Sequence, residues 1–328
     1  MIRCKDIAAI VGVSRQAVTD VLNNSRPHCV SEKKRAQILQ LAAEHGYSPD
    51  RAALALKTGR SDLIGVVMPP WRNVYIAELC MSIQKSLTDR NYTPFFVIDN
   101  NYNPVPGNLE KLLSLRVAGI ITVASSLLPD SMSIPVVSYY YDDPRFDSVC
   151  PNTEEDSRLI IEHLKECGHR SIGYLGPLDD PRVPYLVSEA KRCGLRFPGR
   201  WRASCERGDC EEAFARLLER NSGLDLPTAL IVHNDDLALK LMRCIREKGF
   251  RIPEDISVIG HNNVSFCGST TPALTSVSFG SVDKIADTMV GLLMEQMETP
   301  GRPRKKVLLK SVLTKRESVA NLKHRACT

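Results

Sequence analysis

From residue 62 onward the chain alternates short, almost wholly apolar runs with amphipathic stretches, and no other feature constrains its fold as strongly. The runs are "LIGVVM" (63–68), "PFFVI" (94–98), "GIITVA" (119–124) and "PVVSYY" (135–140), then a second series, "SIGYLG" (171–176), "ALIVH" (229–233) and "ISVIGH" (256–261). Helical patterns lie between them, for example over 75–90, 154–167 and 235–248. A strand that is apolar at successive positions has both faces buried, which points to parallel sheets covered by helices. Two series imply two doubly wound α/β lobes. The runs "TSVSF" (275–279) and "VLLKSVL" (307–313), with a helix over 282–298, complete them. We place lobe one at about 61–152 and 281–304, and lobe two at about 153–280 and 305–328. A chain of 328 residues is long enough for this bilobed core and one small extra domain.

The extra domain precedes the core. Residues 1–47 read as three short helices. The first is closed by Gly12, the second starts at Ser14, and the third starts at Ser31 and stops at Gly46. Charge sets this segment apart. The first sixty residues hold ten Lys/Arg against five Asp/Glu, whereas the whole chain holds 43 against 38, so the basic excess is confined to the head. A basic head on a neutral body fits nucleic acid. Within it, "DIAAIVGVSRQAVTDVL" has the helix-turn-helix pattern: small Ala9 where two helices cross, Gly12 at the tight turn, and Val18 facing inward. The second helix carries Arg15, Gln16 and Asp20 on its outer face. In a major groove Arg15 can bond bidentately to guanine and Gln16 to adenine, while Asp20 can accept from cytosine or orient a neighbouring basic side chain.

Four blocks make the pattern specific: "KDIAAIVGVSRQAVTDVLN", "YSPDRAALALKTGRSDLIGVV", "HNDDLALKLMRCIREKGFRIPEDISVIGHNNV", and the pair "TPALTSV" and "LTKRESV". Together they resemble the LacI/GalR family of bacterial transcription regulators over nearly the whole chain. The resemblance implies a helix-turn-helix head, a hinge over 48–60, and a core over 61–328 like that of periplasmic sugar-binding proteins. It implies a homodimer on a pseudo-palindromic double-stranded operator, with a small-molecule effector, most simply a sugar or sugar derivative, in the cleft between lobes. It places Leu56 as the side chain that wedges into the minor groove, beside Ala53, which permits close approach of two hinges; an apolar wedge of this kind unstacks and kinks DNA. Phosphate contacts fall to Ser14, Thr19, Lys33, Lys34, Arg35 and Arg51, groups that set register rather than sequence.

The cleft positions depart from the family's sugar-binding pattern. Where carboxylates are usual, this chain has Asn262, Asn152 and Tyr139. Neutral groups give weaker, uncharged bonds to hydroxyls. The remaining effector positions implied are Tyr75, Ile76, Ser125, Tyr140, Arg182 and Asp235. Arg182 matches only if the loop "GPLDDPR" is shortened by about four residues; otherwise Leu186 takes the position. Asp235, at a helix start, reads equally as an effector contact or an N-cap.

Other functions fit less well. His163, Cys167 and His169, or Cys205 and Cys210, lack a second paired motif at zinc-like spacing, so no metal is expected. "GYLGPL" is not a dinucleotide fingerprint, and neither a P-loop nor a nucleophile elbow is present, so neither catalysis nor a cofactor is expected. A small-molecule binding protein without a DNA role is the alternative, but the basic head argues against it. The N-terminus has no secretory pattern, no apolar run is long enough to span a bilayer, and eleven scattered Cys suit a reducing cytoplasm.

Overall fold

The computed structural model describes residues 2–22, 26, 28–47, 61–69, 73–98, 106–123, 125–205, 209–221 and 226–323. The chain divides into two compact units, Met1–Asp62 and Leu63–Thr328.

The first unit holds α1 (Cys4–Val11), α2 (Arg15–Leu22) and α3 (Glu32–Glu44). Each contributes to one small core of Ile7, Ala8, Val11, Val18, Val21, Ile38 and Ala42. Gly12 ends α1 in the left-handed region at φ 68°, where a side chain would be strained, and lets Val13 N–H reach the Ala8 carbonyl at 3.0 Å.

The second unit contains two six-stranded sheets. Lobe one is built on β1 (Leu63–Met68), β2 (Thr93–Ile98), β3 (Gly119–Thr122), β4 (Val136–Tyr139) and β5 (Asp147–Pro151), with helices α4 (Val74–Thr88) and α5 (Pro106–Ser114). Lobe two follows with α6 (Thr153–Glu166), β6 (Ile172–Leu175), α7 (Arg182–Cys193), β7 (Arg202–Ala203), α8 (Cys210–Arg220), β8 (Ala229–Val232), α9 (Asp235–Glu247), β9 (Ser257–His261) and β10 (Thr275–Ser278). The chain then returns to lobe one for α10 (Val282–Glu298) and β11 (Lys306–Leu309), and ends in lobe two with β12 (Val312–Thr314). Strand order is β11-β5-β4-β3-β1-β2 in one sheet and β12-β10-β9-β8-β6-β7 in the other. Among the described residues all pairings are parallel except β10 with β12.

The central strands β3, β4, β6, β8 and β9 are buried at every position, as expected of apolar runs covered on both faces. The edge strand β2 is not: Phe95 is 42% and Ile98 37% exposed. One boundary is corrected. The run "VLLKSVL" is two strands in different sheets, because Val307–Leu309 pairs with Val149–Pro151 while Val312 pairs with Ser278. Lobe one therefore reaches Leu309, beyond the expected 304, and the chain changes lobes at Lys310–Ser311.

α4 and α10 pack side by side, with the Ser82 hydroxyl donating to Asp283 Oδ1 at 2.7 Å and that of Ser86 to Asp287 Oδ1 at 2.6 Å. The turn after α10 is fastened by an ion pair between Arg302 and Asp147, whose side chain has no exposure. Asp147 Oδ1 also accepts the Lys305 N–H at 2.7 Å. Removing one member of a buried pair strands the other charge. Asp147→Ala is therefore expected to lower stability by about 3–5 kcal/mol, seen as a lower urea midpoint by circular dichroism; an unchanged midpoint would show that the pair holds nothing in place.

Candidate nucleic-acid interface and inter-lobe cleft

In the head, the Ser14 hydroxyl accepts the Ala17 N–H at 3.1 Å and so caps α2. This leaves Arg15 and Gln16 exposed in the first turn. Half-buried Thr19 donates its hydroxyl to the Arg15 carbonyl at 3.0 Å. Lys34 Nζ donates to the Gly12 carbonyl at 3.0 Å, tying α3 to the turn. Lys33 is exposed and Arg35 half-buried. Arg51, Ala53 and Leu56 lie outside the described residues.

Asp20 corrects its sequence expectation. It is only 8% exposed, so it is not on the outer face. Its Oδ1 accepts from Gln16 Nε2 at 2.9 Å, one helical turn away. Asp20 thus orients Gln16 rather than presenting its own carboxylate to a base.

In the core, the cleft groups gather at the C-terminal ends of the strands, where parallel sheets place their loops. From lobe one come Tyr75 and Ile76, buried in the first turn of α4, with the Ile76 N–H capped by Asn73 Oδ1 at 2.9 Å. The Tyr75 hydroxyl is hydrogen-bonded to that of Tyr139, which is also buried. Tyr140 follows at φ 76°, with its ring centroid 6.3 Å from that of Tyr139. From lobe two come Asn262, at φ 103°, and Arg182. The lobes also touch where the Ser265 N–H donates to Glu78 Oε1 at 3.1 Å.

Arg182 opens α7 and is buried, whereas Leu186 belongs to the lobe-two core. Its guanidinium is already engaged: Nε donates to Asp180 Oδ1 at 3.0 Å, and Nη2 to Asp180 Oδ2 at 2.5 Å and to the His233 carbonyl at 2.9 Å. His233 Nδ1 lies 2.6 Å from Asp180 Oδ2, and the Tyr174 hydroxyl donates to the same oxygen at 3.2 Å. Burial opposes the charge on Asp180, yet His233 and Arg182 outweigh it and hold that carboxyl far below the ordinary range. Burial lowers the His233 imidazole.

Two expected effector residues are hydrogen-bonded inside their own lobes. Ser125 pairs its hydroxyl with that of Ser138 at 2.9 Å. Asp235 has no exposure; its Oδ1 accepts the Ser276 hydroxyl at 2.7 Å and its Oδ2 the Val264 N–H at 3.0 Å. The N-cap of α9 is Asn234, whose side chain accepts the Leu237 N–H at 2.9 Å, and not Asp235. The fit around Asp235 depends on Gly260, where a Cβ would lie 2.2 Å from Asp235 Oδ1. Burial pushes the Asp235 carboxyl up, against the bonds it receives. Asn152 caps α6, accepting the Glu155 N–H at 3.2 Å.

Sequence reasoning missed Asp180, His233, Asp156 and His261. His261 Nε2 lies 3.0 Å from Asp156 Oδ2, and its Nδ1 3.0 Å from Asn262 Oδ1. Asp156 stands in the acidic run "TEED", which looks like a solvated helix start, although the side chain has no exposure. Among the described residues no group of three His, Cys, Asp or Glu is placed to hold a metal ion, and no helix is long and apolar enough to cross a membrane.

Comparison with known proteins bears on both sites. Residues 3–50 match the model of bacterial regulatory proteins of the lacI family, and residues 161–319 that of the periplasmic binding protein-like domain. The HTH-type transcriptional repressor PurR of Mannheimia succiniciproducens is 28% identical over 339 residues, covering 98% of this chain and 100% of that protein. The lac repressor dimer bound to operator and the anti-inducer ONPF superposes with a TM-score of 0.79 at 24% identity, covering 97% of this chain and 99% of the other. A LacI family regulator from Enterococcus faecium with bound ribose superposes at 0.69 and 23% identity, covering 79% and 99%. The chain thus joins a head that matches the lacI family of bacterial regulatory proteins, over residues 3–50, to a core that matches the periplasmic binding protein-like domain, over residues 161–319.

Proposed function

We propose that the chain is a sequence-specific DNA-binding transcription repressor, acting as a homodimer on a pseudo-palindromic operator and modulated by a small molecule held between its lobes. The observation that carries this reading is the pair Arg15 and Gln16. They stand exposed at the capped first turn of the second helix, above a packed three-helix core. That is where a recognition helix presents side chains to base edges. Lys33 and the basic balance of the head supply attraction to phosphate. A protein with this task works in the cytoplasm and needs no catalytic group. Tyr75, Ile76, Tyr140, Arg182 and Asn262 border the effector site in this reading, and Leu56 and Ala53 meet the minor groove.

Arg15→Ala and Gln16→Ala are each expected to lose about 1–3 kcal/mol of base discrimination. The test is selection of duplexes from a random pool by the full chain, followed by competition titrations; unchanged sequence preference in both variants would sink the assignment. Asp20→Ala frees the Gln16 amide and is expected to relax specificity at the base that Gln16 reads, with the preference at the Arg15 position kept. Loss of preference at both positions would instead mark Asp20 as a support of the whole head.

A further inference from the structure

Two cysteines that DNA and effector binding leave unused stand together in lobe two. Cys205 follows the edge strand β7, and Cys210 is the first residue of α8. Their sulfurs are 3.3 Å apart, and the residues are 0% and 1% exposed. Backbone holds each of them in place. The Cys205 N–H donates to the Gly176 carbonyl at 3.3 Å, just past the end of β6. The Asp209 carbonyl accepts the Ala213 N–H at 2.9 Å and so starts α8, and Arg216 Nη2 from that helix donates to the Ser204 carbonyl at 3.3 Å.

The Leu237 carbonyl lies 3.6 Å from Cys210 Sγ. A carbonyl only accepts, so the Cys210 S–H is directed to it and Cys205 is the donor between the two sulfurs. That order makes the thiols unequal. Donation from Cys205 holds the Cys210 thiol below its ordinary range against the opposing effect of burial, and the same bond pushes Cys205 up. A helix start favours a thiolate in the same sense.

We propose that Cys205 and Cys210 form a reversible oxidation site for a small hydroperoxide, with Cys210 the attacking thiol and Cys205 the resolving one. The Cys210 sulfur attacks one oxygen of hydrogen peroxide. The O–O bond breaks, hydroxide leaves as water with the Cys210 proton, and a sulfenic acid forms. The Cys205 sulfur then attacks the Cys210 sulfur. The S–S bond forms, the S–O bond breaks, and a second water carries off the Cys205 proton. Two thiols thereby lose two electrons and one peroxide becomes two waters. A disulfide bond of about 2.05 Å asks the sulfurs to approach by about 1.3 Å more. Burial selects for an oxidant of nearly water size. Oxidation also removes the hydrogen that Cys210 gives to Leu237, so α9 loses a contact in its first turn. In a reducing compartment such a disulfide is transient, as redox-sensing ones are.

The test is peptide mapping of the full chain, reduced, freed of reductant, exposed to hydrogen peroxide without denaturant and then alkylated. Trypsin cleaves after Arg202, Arg207 and Arg216, so the two cysteines fall in separate peptides, 203–207 and 208–216, which a disulfide keeps together. The linked pair is expected within single chains, at least about tenfold faster than oxidation of any other cysteine, and to vanish on reduction. Oxidised glutathione, a bulkier oxidant, is expected to form the link at least about tenfold more slowly. Cys205→Ser is expected to leave Cys210 as a sulfenic acid that dimedone captures, and Cys210→Ser to leave Cys205 unreacted. Full alkylation of both thiols after peroxide, a link between two chains, a link formed only in urea, or glutathione as fast as peroxide overturns the proposal. So does dimedone capture at Cys205 in Cys210→Ser. Circular dichroism of the variants separates a folding defect from a chemical one, and mapping of the parent chain needs neither variant.

Discussion

Parallel pairing of apolar strands decides where chemistry can sit in this molecule. A strand buried on both faces admits few polar side chains along its length, and those hydrogen-bonded, such as Ser138 and Ser276, so most collect at its ends and in the following loops. Tyr139 and Tyr140 close β4, His261 and Asn262 close β9, and His233 follows β8. The chain passes between lobes near Asn152, near Phe279–Ser281 and at Lys310–Ser311. Asn152 and Ser281 are both helix N-caps, accepting from Glu155 and Lys284, so two of these passages are pinned by a local hydrogen bond rather than by bulk.

Buried charge is managed by the same economy of placement. Asp147 with Arg302 and Asp180 with Arg182 each pair an acid with a guanidinium, whose planar fork can satisfy two oxygens at once. The first holds a turn. The second engages Nε and Nη2 of Arg182 at the start of α7. Asp235 has no cationic partner among the described residues and relies on a hydroxyl, a backbone N–H and the Cys267 thiol in a space kept open by Gly260. Such carboxylates keep their neighbours fixed because each leaves a desolvated group behind if its partner moves.

The sequence made the architecture legible because strand and helix periods differ so plainly, and it made the head legible because Gly12, Ser14 and Val18 each have a local reason for their position. The break inside "VLLKSVL" was hidden: seven mostly apolar residues read as one strand, and only the register against β5 and β10 separates the two halves. The cleft was hidden for another reason. Asp20 and Asp156 look like ordinary surface acids, and burial is not written in residue type. An i,i+4 partner was the available clue for Asp20, since Gln16 and Asp20 share a helix side. Asp156 has its partner His261 more than a hundred residues away, a separation no local rule bridges. Asp235, which reads as a cap or a ligand contact, is not the cap, because Asn234 takes it one residue earlier.

Backbone strain marks the same places. Tyr140, Asn262 and Asn263 all have positive φ, and Tyr140 is a bulky residue for which that region is unfavourable by about 1–3 kcal/mol. The strain is held locally. The Tyr140 N–H donates to Val149 O at 3.0 Å, the Asn262 N–H to Val277 O at 2.7 Å, and Asn263 Oδ1 accepts from Arg316 at 2.7 Å. One of these segments belongs to each lobe. Coupling between sites requires a ligand to bind two arrangements unequally. Residues already held away from their preferred geometry by a few hydrogen bonds supply that inequality at low cost, since a contact that rearranges them releases strain as it forms.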